Sequence, residues 1–237
     1  MRAGIFTTTI QEIQQFGADT RHFRVAFPAG TEFRFQAGQF VNFILDLPGQ
    51  PKTIKRPYSI ASPPIWNGYL DFIWKRVEGG IVTNHLWDMK QGEPLKIQGP
   101  LGVFTFRKPM PKNLVFVSTG TGIAPFRSMI HELVHQGTSC KIWNFFGTRY
   151  EDQILYQNEF EELAKKYAGL RNVFTVSRPR TWTGEKDYVQ ILLKKYIQDV
   201  SDTHIYICGL TKMIQDVVKT ATEMGFVKEQ LFFEKYD

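Results

Sequence analysis

The hydrophobic rhythm of this 237-residue chain changes once, near Pro109–Lys112, and that change limits the fold more than any other feature. Upstream, IFTTTIQEI, HFRVAFPA, FVNFILDL, YLDFIWKRV and EPLKIQGPL are short, rich in β-branched and aromatic residues, and separated by Gly, Pro, Asn and Asp. Antiparallel strands and their turns read this way. Only GIVTNHLWDM suggests a short helix there, so the first half predicts a small antiparallel β-barrel of five or six strands. Downstream, LVFVS, CKIWNFFG, NVFTVS, HIYICG and LFFEKY alternate with helical patterns in GIAPFRSMIHELVHQG, NEFEELAKKYAG, DYVQILLKKYIQDV and TKMIQDVVKTATEMG. Those strands are too apolar to have a wet face and predict a five-stranded parallel sheet in an α/β domain, covered by helices on both sides. The expected domains are a barrel over 1–108 and an α/β domain over 112–237.

Composition narrows the partners. A net charge of +6 favours anions, whether phosphates or an acidic protein. No run of Lys or Arg points to nucleic acid. Cys140 and Cys208 both fall in apolar strand patterns without a C-x-x-C neighbour, which argues against zinc or an iron–sulfur cluster. It also argues for a reducing, cytoplasmic compartment. His131 and His135 share a helix face, but no third ligand is evident, so no metal site is expected. MRAGIFTTTIQEI lacks an apolar signal core, and no apolar run reaches the ~18 residues of a membrane span. A soluble protein without membrane insertion is expected.

Three segments of the second half could meet a ligand. STGTGIAP follows a buried strand and opens a helix. Gly120, Thr121 and Gly122 would let backbone N–H groups approach a phosphate, and Pro125 is tolerated in a first helical turn. An ordinary strand-to-helix turn has the same composition. Ser177, Arg178 and Arg180 end the third strand, with Lys186 and Tyr188 shortly after; cations there suit a 2′-phosphate, and Tyr188 could stack on adenine. A solvated basic loop is the alternative. Cys208, Gly209 and Leu210 end the fourth strand, where a ligand-facing role and simple packing are both open. In the first half, KRPYSIASPP crowds Arg56, Pro57, Tyr58 and Ser59 together, and strand alternation would put Arg56 and Tyr58 on one face and Ser59 on the other.

In combination, RPYSIAS, WKRVEGGIVTNHL, GPLG, GTGIAPFRSM, the SR…GEKDYVQ pair, YICGL and FEKY resemble the plant-type ferredoxin–NADP+ reductase family from FQAGQFV onward. The resemblance implies a flavin-binding barrel followed by a nucleotide domain, in agreement with the two rhythms. It implies that Arg56 pairs with the FAD pyrophosphate, Tyr58 packs flat on the isoalloxazine, and Ser59 lies near flavin N5. Ile73, Trp74 and Lys75 would line FAD largely by backbone, and Gly80, Ile81, Val82 and Thr83 would cradle its pyrophosphate. Thr121 would sit near both flavin and nicotinamide. Ser177, Arg178, Lys186 and Tyr188 match the family's 2′-phosphate and adenine positions, and Cys208 becomes a nicotinamide neighbour. Tyr236 would cover the flavin and yield to nicotinamide, with Glu234 on a proton path. Asp237, following the tyrosine, departs from the plant pattern.

The implied reaction is hydride transfer between NADP(H) and flavin N5, with single electrons passing to ferredoxin or flavodoxin. Ser59, Cys208, Glu234 and Tyr236 would surround the reacting atoms. Lys52, Lys55, Lys75 and Arg76 are candidate docking cations for an acidic carrier. Two alternatives stay open: the NAD(P)H-dependent reductase component of an oxygenase, and a flavin-holding subunit without turnover.

Overall fold

The computed structural model describes residues 3–236. Asp237 lies outside them. The chain forms two compact units. One runs through Thr105 and includes Ala124–Glu132; the other comprises Phe106–Ile123 and the residues from Leu133 onward.

The first unit is a six-stranded antiparallel sheet of β1 (Gly4–Phe16), β2 (Thr20–Ala26), β3 (Phe40–Leu45), β4 (Ile54–Ser59), β5 (Tyr69–Lys75) and β6 (Pro94–Leu101). The single helix expected from GIVTNHLWDM is α1 (Ile81–Asp88). The spatial order β4-β3-β6-β1-β2-β5 makes β4 and β5 the outer strands. Just beyond β4 the chain reaches β5, where Ala61 N–H donates to the Asp71 carbonyl at 2.8 Å. Strand β4 is absent from the hydrophobic pattern because Lys55, Arg56 and Pro57 are polar or imino residues and all exposed. It forms because β3 offers an edge, and Pro57, opposite Asn42, is tolerable on an outer strand. Phe23, Val41, Phe43, Ile60, Leu70, Phe72, Trp74, Leu86 and Ile97 fill the core.

A charge cluster is sealed into this unit. Asp71 on β5 is wholly buried and accepts from Arg24 Nε at 2.8 Å and Arg24 Nη2 at 3.0 Å. His22 Nε2 lies 3.4 Å away. The fourth member comes from α2 (Ile123–His135): buried Arg127 donates to Asp71 at 3.0 Å and to the Ala61 carbonyl at 3.1 Å. Arg24 also lies over the Tyr69 ring and Arg127 over Trp66. Burial alone would raise the Asp71 carboxyl, but hydrogen bonds from His22 and Arg24 and the Arg127 charge hold it well below the usual carboxylate range.

The second unit is a parallel sheet of β7 (Asn113–Thr119), β8 (Lys141–Thr148), β9 (Leu170–Val176), β10 (Thr203–Gly209) and β11 (Leu231–Lys235). Helices α3 (Gln157–Lys166), α4 (Val189–Tyr196) and α5 (Thr211–Glu223) connect them. The order β11-β10-β7-β8-β9 begins in the middle, runs outward to β9, then returns to the other side. The reversal between β7 and β10 is a topological switch point, where the crevice beyond the strand ends receives ligands in such sheets. Val115, Val117, Phe145, Ile205, Ile207 and, from α5, Ile214, Val217 and Ala221 make its core. Helix α4 is shorter than its sequence pattern and starts only after Tyr188. Among the described residues, no helix is long and apolar enough to cross a membrane.

Candidate active site

In the first unit the candidate residues lie on the two outer strands and the helix that follows. On β4, Arg56 is exposed and its charge acts on the half-buried Tyr58. The Tyr58 ring rests on Phe43 with centroids 4.2 Å apart and 30° between planes. Burial pushes its phenol far up, opposed by Arg56, so the ring stays neutral. Pro57 is exposed between them, and Ser59 turns to the other face, buried. On β5, Ile73 and Trp74 are both buried, and Trp74 belongs to the core. Trp74 meets Phe23 edge-on at 5.4 Å and Trp87 at 5.9 Å, so its indole belongs to the core and its backbone is what it offers a ligand. Lys75 is exposed and paired with Asp19 at 2.9 Å.

Helix α1 begins at the Gly80 N-cap with no side-chain cap and no acid in its first turn. Val82 anchors it in the core while Ile81 stands out in solvent. The Thr83 hydroxyl accepts from Val77 N–H at 3.0 Å and so pins the turn before the helix. Unsatisfied N–H groups and the positive end of the helix dipole suit an anion at such a start. An open cleft of about 420 Å³ lined by Asp19, Arg76, Glu78, Gly79 and Asn84 adjoins it. An exposed guanidinium, engaged only with the Lys55 carbonyl at 3.0 Å among the described contacts, an aromatic face and an uncapped helix start suit a flat, diphosphate-bearing cofactor, and the residues present fit FAD. Two features had no sequence signal. Trp87 lies under Arg21, at 4.0 Å, and Arg76, at 5.3 Å, and Asn84 accepts from Arg76 Nε at 2.6 Å.

In the second unit, Gly120–Gly122 form one tight helical turn between β7 and α2. Gly120 has φ +53° and nothing within 4 Å of where a Cβ would stand. Gly122 is the reverse: a Cβ there would sit 2.3 Å from the Cys208 carbonyl. Glycine is therefore required for the loop to close on the end of β10. Thr121 is half-buried in the same turn, Pro125 falls in the first turn of α2, and that turn holds no acid. This open backbone cradle fits a nucleotide phosphate.

Cys208 on β10 lies between Ser118 of β7 and Glu234 of β11 in register. Tyr236 N–H donates to the Gly209 carbonyl at 2.9 Å, and its side chain lies beside the Cys208 thiol. Burial, and then the Glu234 charge, push that thiol well up, with the Tyr236 contact opposing. Cys208 is thus a neutral, wholly buried thiol, unlike a nucleophilic cysteine. Leu210, next in the chain, is exposed.

At the end of β9, Ser177 N–H donates to the Thr148 carbonyl at 2.9 Å and Arg178 N–H to the Arg149 carbonyl at 2.8 Å. Residues 185–187 fold back along β9: Val176 N–H donates to the Glu185 carbonyl at 3.0 Å, and the Thr175 hydroxyl donates to the Asp187 carbonyl. This brings Lys186 and Tyr188 to the strand end that carries Ser177 and Arg178. The side chains of Arg178, Lys186 and Tyr188 are exposed. Tyr150 and Glu151, which touch this loop, were not among the expected residues because nothing local marks them.

Comparison with known proteins agrees with both halves. Residues 7–106 match the oxidoreductase FAD-binding domain family and residues 116–219 the oxidoreductase NAD-binding domain family. The chain is 37% identical over 216 residues to ferredoxin–NADP reductase B of Sorangium cellulosum, covering 88% of each protein. It is 28% identical over 236 residues to the phenol hydroxylase P5 protein of Acinetobacter pittii, covering 98% of this chain and 65% of that longer one. The fold is similar to that of a Neisseria gonorrhoeae ferredoxin NADP+ reductase solved with bound FAD and NADP, with a TM-score of 0.87, 21% identity and 98% of each chain covered.

Proposed function

The chain belongs to the ferredoxin–NADP reductase-like flavoprotein oxidoreductases, which join an FAD-binding domain to an NAD-binding domain, and from that premise we propose that it moves hydride between NADP(H) and FAD and single electrons between FAD and ferredoxin or flavodoxin. The barrel, residues 1–108, would hold FAD, and residues 112–237 would hold NADP(H). Bound FAD supplies a hydride acceptor at N5 and the capacity to release electrons one at a time.

The chain's residues bind and orient. The Arg56 guanidinium and the N–H groups of Ile81, Val82 and Thr83 would hold the pyrophosphate of FAD, with Gly80, whose own N–H is donated to the Val77 carbonyl, shaping the turn before them. The Tyr58 ring and the backbone of Ile73, Trp74 and Lys75 present flat surfaces to the isoalloxazine, and Ser59 offers a hydroxyl. Gly120, Thr121, Gly122 and Pro125 receive the NADP pyrophosphate; Gly209 and Leu210 complete the strand-end wall. The observation that carries the hydride step is the Cys208, Glu234 and Tyr236 array at the topological switch point. It combines a neutral thiol, a carboxylate able to move a proton and an aromatic ring able to give way to nicotinamide. The Glu-x-Tyr spacing of Glu234 and Tyr236 also supports a plant-type affiliation. Exposed Lys52, Lys55, Lys75 and Arg76 support docking of an acidic carrier. Two free, buried cysteines suit a reducing, cytoplasmic setting.

Anaerobic titration of the yellow holoprotein with NADPH tests the reaction: the flavin band should bleach at one equivalent, and a band that persists overturns the reading. The assignment of the 2′-phosphate is tested by Arg178→Ala. Loss of one charge-assisted contact should lower kcat/KM for NADPH by about 10- to 100-fold while NADH changes little. A second reading, the reductase component of an oxygenase, is favoured by the relatives carrying such names. Preference of the wild type for NADH, with electrons passed to an oxygenase rather than to ferredoxin or flavodoxin, would select it.

A further inference from the structure

The loop that begins with Ser177 and Arg178 belongs to no helix or strand, and its cations stand in solvent. Its shape is held by the chain leaving β8, which meets it residue by residue. The Thr148 carbonyl accepts from Ser177 N–H and the Arg149 carbonyl from Arg178 N–H. The Arg180 guanidinium lies 4.8 Å over the Tyr150 ring. The Glu151 carboxylate then accepts from Arg180 N–H at 3.2 Å, Thr181 N–H at 2.6 Å and the Thr181 hydroxyl at 2.8 Å. Successive N–H groups converging on one anion form a nest of the kind that binds phosphates. Here the occupant is the chain's own carboxylate. Its own backbone N–H, the Thr181 N–H and hydroxyl and the Arg180 N–H lower its pKa to about 2, so it stays ionised through any working range.

We propose that Glu151 is a positioning residue for the 2′-phosphate: by filling the Arg180–Thr181 nest it holds the loop in the shape in which Ser177 and Arg178 receive that group. It thereby sets the preference for a 2′-phosphorylated nucleotide over its dephospho analogue. The inference rests on the NADP(H) reading above. A loop ordered before binding has less conformational entropy to lose when the ligand arrives, which is the source of the preference. Glu151 is also an anion close to a site for another anion, and that effect has the opposite sign. Solvent and salt screen the repulsion, and the carboxylate is already surrounded by donors, so the ordering effect dominates.

The opposed signs make a clean test. Binding of 2′,5′-ADP and 5′-AMP to the FAD-loaded protein is measured by calorimetry for the wild type, Glu151→Gln and Arg178→Ala. Glutamine keeps one acceptor and removes the charge. Glu151→Gln should weaken 2′,5′-ADP by about five- to tenfold, leave 5′-AMP within about twofold, and raise KM for NADPH with little change in kcat. Equal weakening of both probes would make Glu151 a general prop, and tighter 2′,5′-ADP binding would make it a Coulombic opponent; either result overturns the inference. If Arg178→Ala abolishes the preference for 2′,5′-ADP and Glu151→Gln does not, the inference alone fails. If Arg178→Ala also leaves the preference intact, the 2′-phosphate reading fails and the inference with it.

Discussion

Tyr236→Ser should bind NADP+ about five- to tenfold more tightly than the wild type, and should gain affinity for NAD+ as well. The Tyr236 backbone is tied to the Gly209 carbonyl, and its half-buried ring lies beside the Cys208 thiol at the end of β10. On the proposed function a nicotinamide that approaches Cys208 displaces that ring, and the displaced contacts are subtracted from the binding free energy. Re-exposing the buried half of an aromatic ring costs about 1–1.5 kcal/mol, which is roughly five- to tenfold in affinity. Serine removes the ring and keeps the backbone N–H, so the bond to Gly209 survives and the sheet edge is preserved. Because nicotinamide is common to both nucleotides, the gain should extend to NAD+ and erode discrimination between them. Calorimetry with each nucleotide reads the effect. Unchanged affinity would mean that the ring does not stand in the nicotinamide's way.

The second large effect concerns stability. Asp71→Asn should lower the thermal midpoint of the first unit by about 10 °C, since removing one partner from a buried ion cluster costs about 3–5 kcal/mol. Asparagine conserves the shape but takes the Asp71 charge away from Arg127, which is 4% exposed. Arg24 loses a two-pronged acceptor at the same time. The pH dependence has a definite sign. The folded carboxyl is held below its ordinary value, so its contribution is fully present above the unfolded aspartate pKa of ~3.9 and is lost as pH falls below that. The stability gap between wild type and Asp71→Asn should therefore be constant above about pH 5 and begin to narrow below about pH 4. Differential scanning calorimetry from pH 3 to pH 7, with FAD in constant excess, checks both parts. A gap that stays constant to the acid end would show that the carboxylate charge is not what stabilises the cluster.

Much of this architecture was legible before any coordinates. The change of rhythm near Pro109–Lys112, the parallel strands and the helix opened by GTGIAP are local patterns, and each strand of the second unit appears where its apolar run lies. Strand β4 was not legible as a strand, because Lys55, Arg56 and Pro57 owe their extended form to pairing with Phe43, Asn42 and neighbouring residues of β3. The resemblance implies that Trp74 lines FAD largely by backbone; that its indole packs against Phe23 and Trp87 is a tertiary contact no local pattern marks. The spacing of Ser177, Arg178, Lys186 and Tyr188 could not say whether they meet. The fold-back of residues 185–187 along β9 brings them to one end of the sheet.

By itself the sequence determined the two kinds of sheet, the helices between the parallel strands and the glycine turn after β7. These follow from periodicity and backbone freedom, which neighbouring residues dictate. Only the tertiary structure decided that Arg127 neutralises Asp71, 56 positions away, and that Glu151 fastens Thr181, 30 positions away. Charges and hydrogen bonds act across space with no period along the chain, so only the placing of helix α2 beside Asp71 and of the segments that follow β8 and β9 brings these partners together.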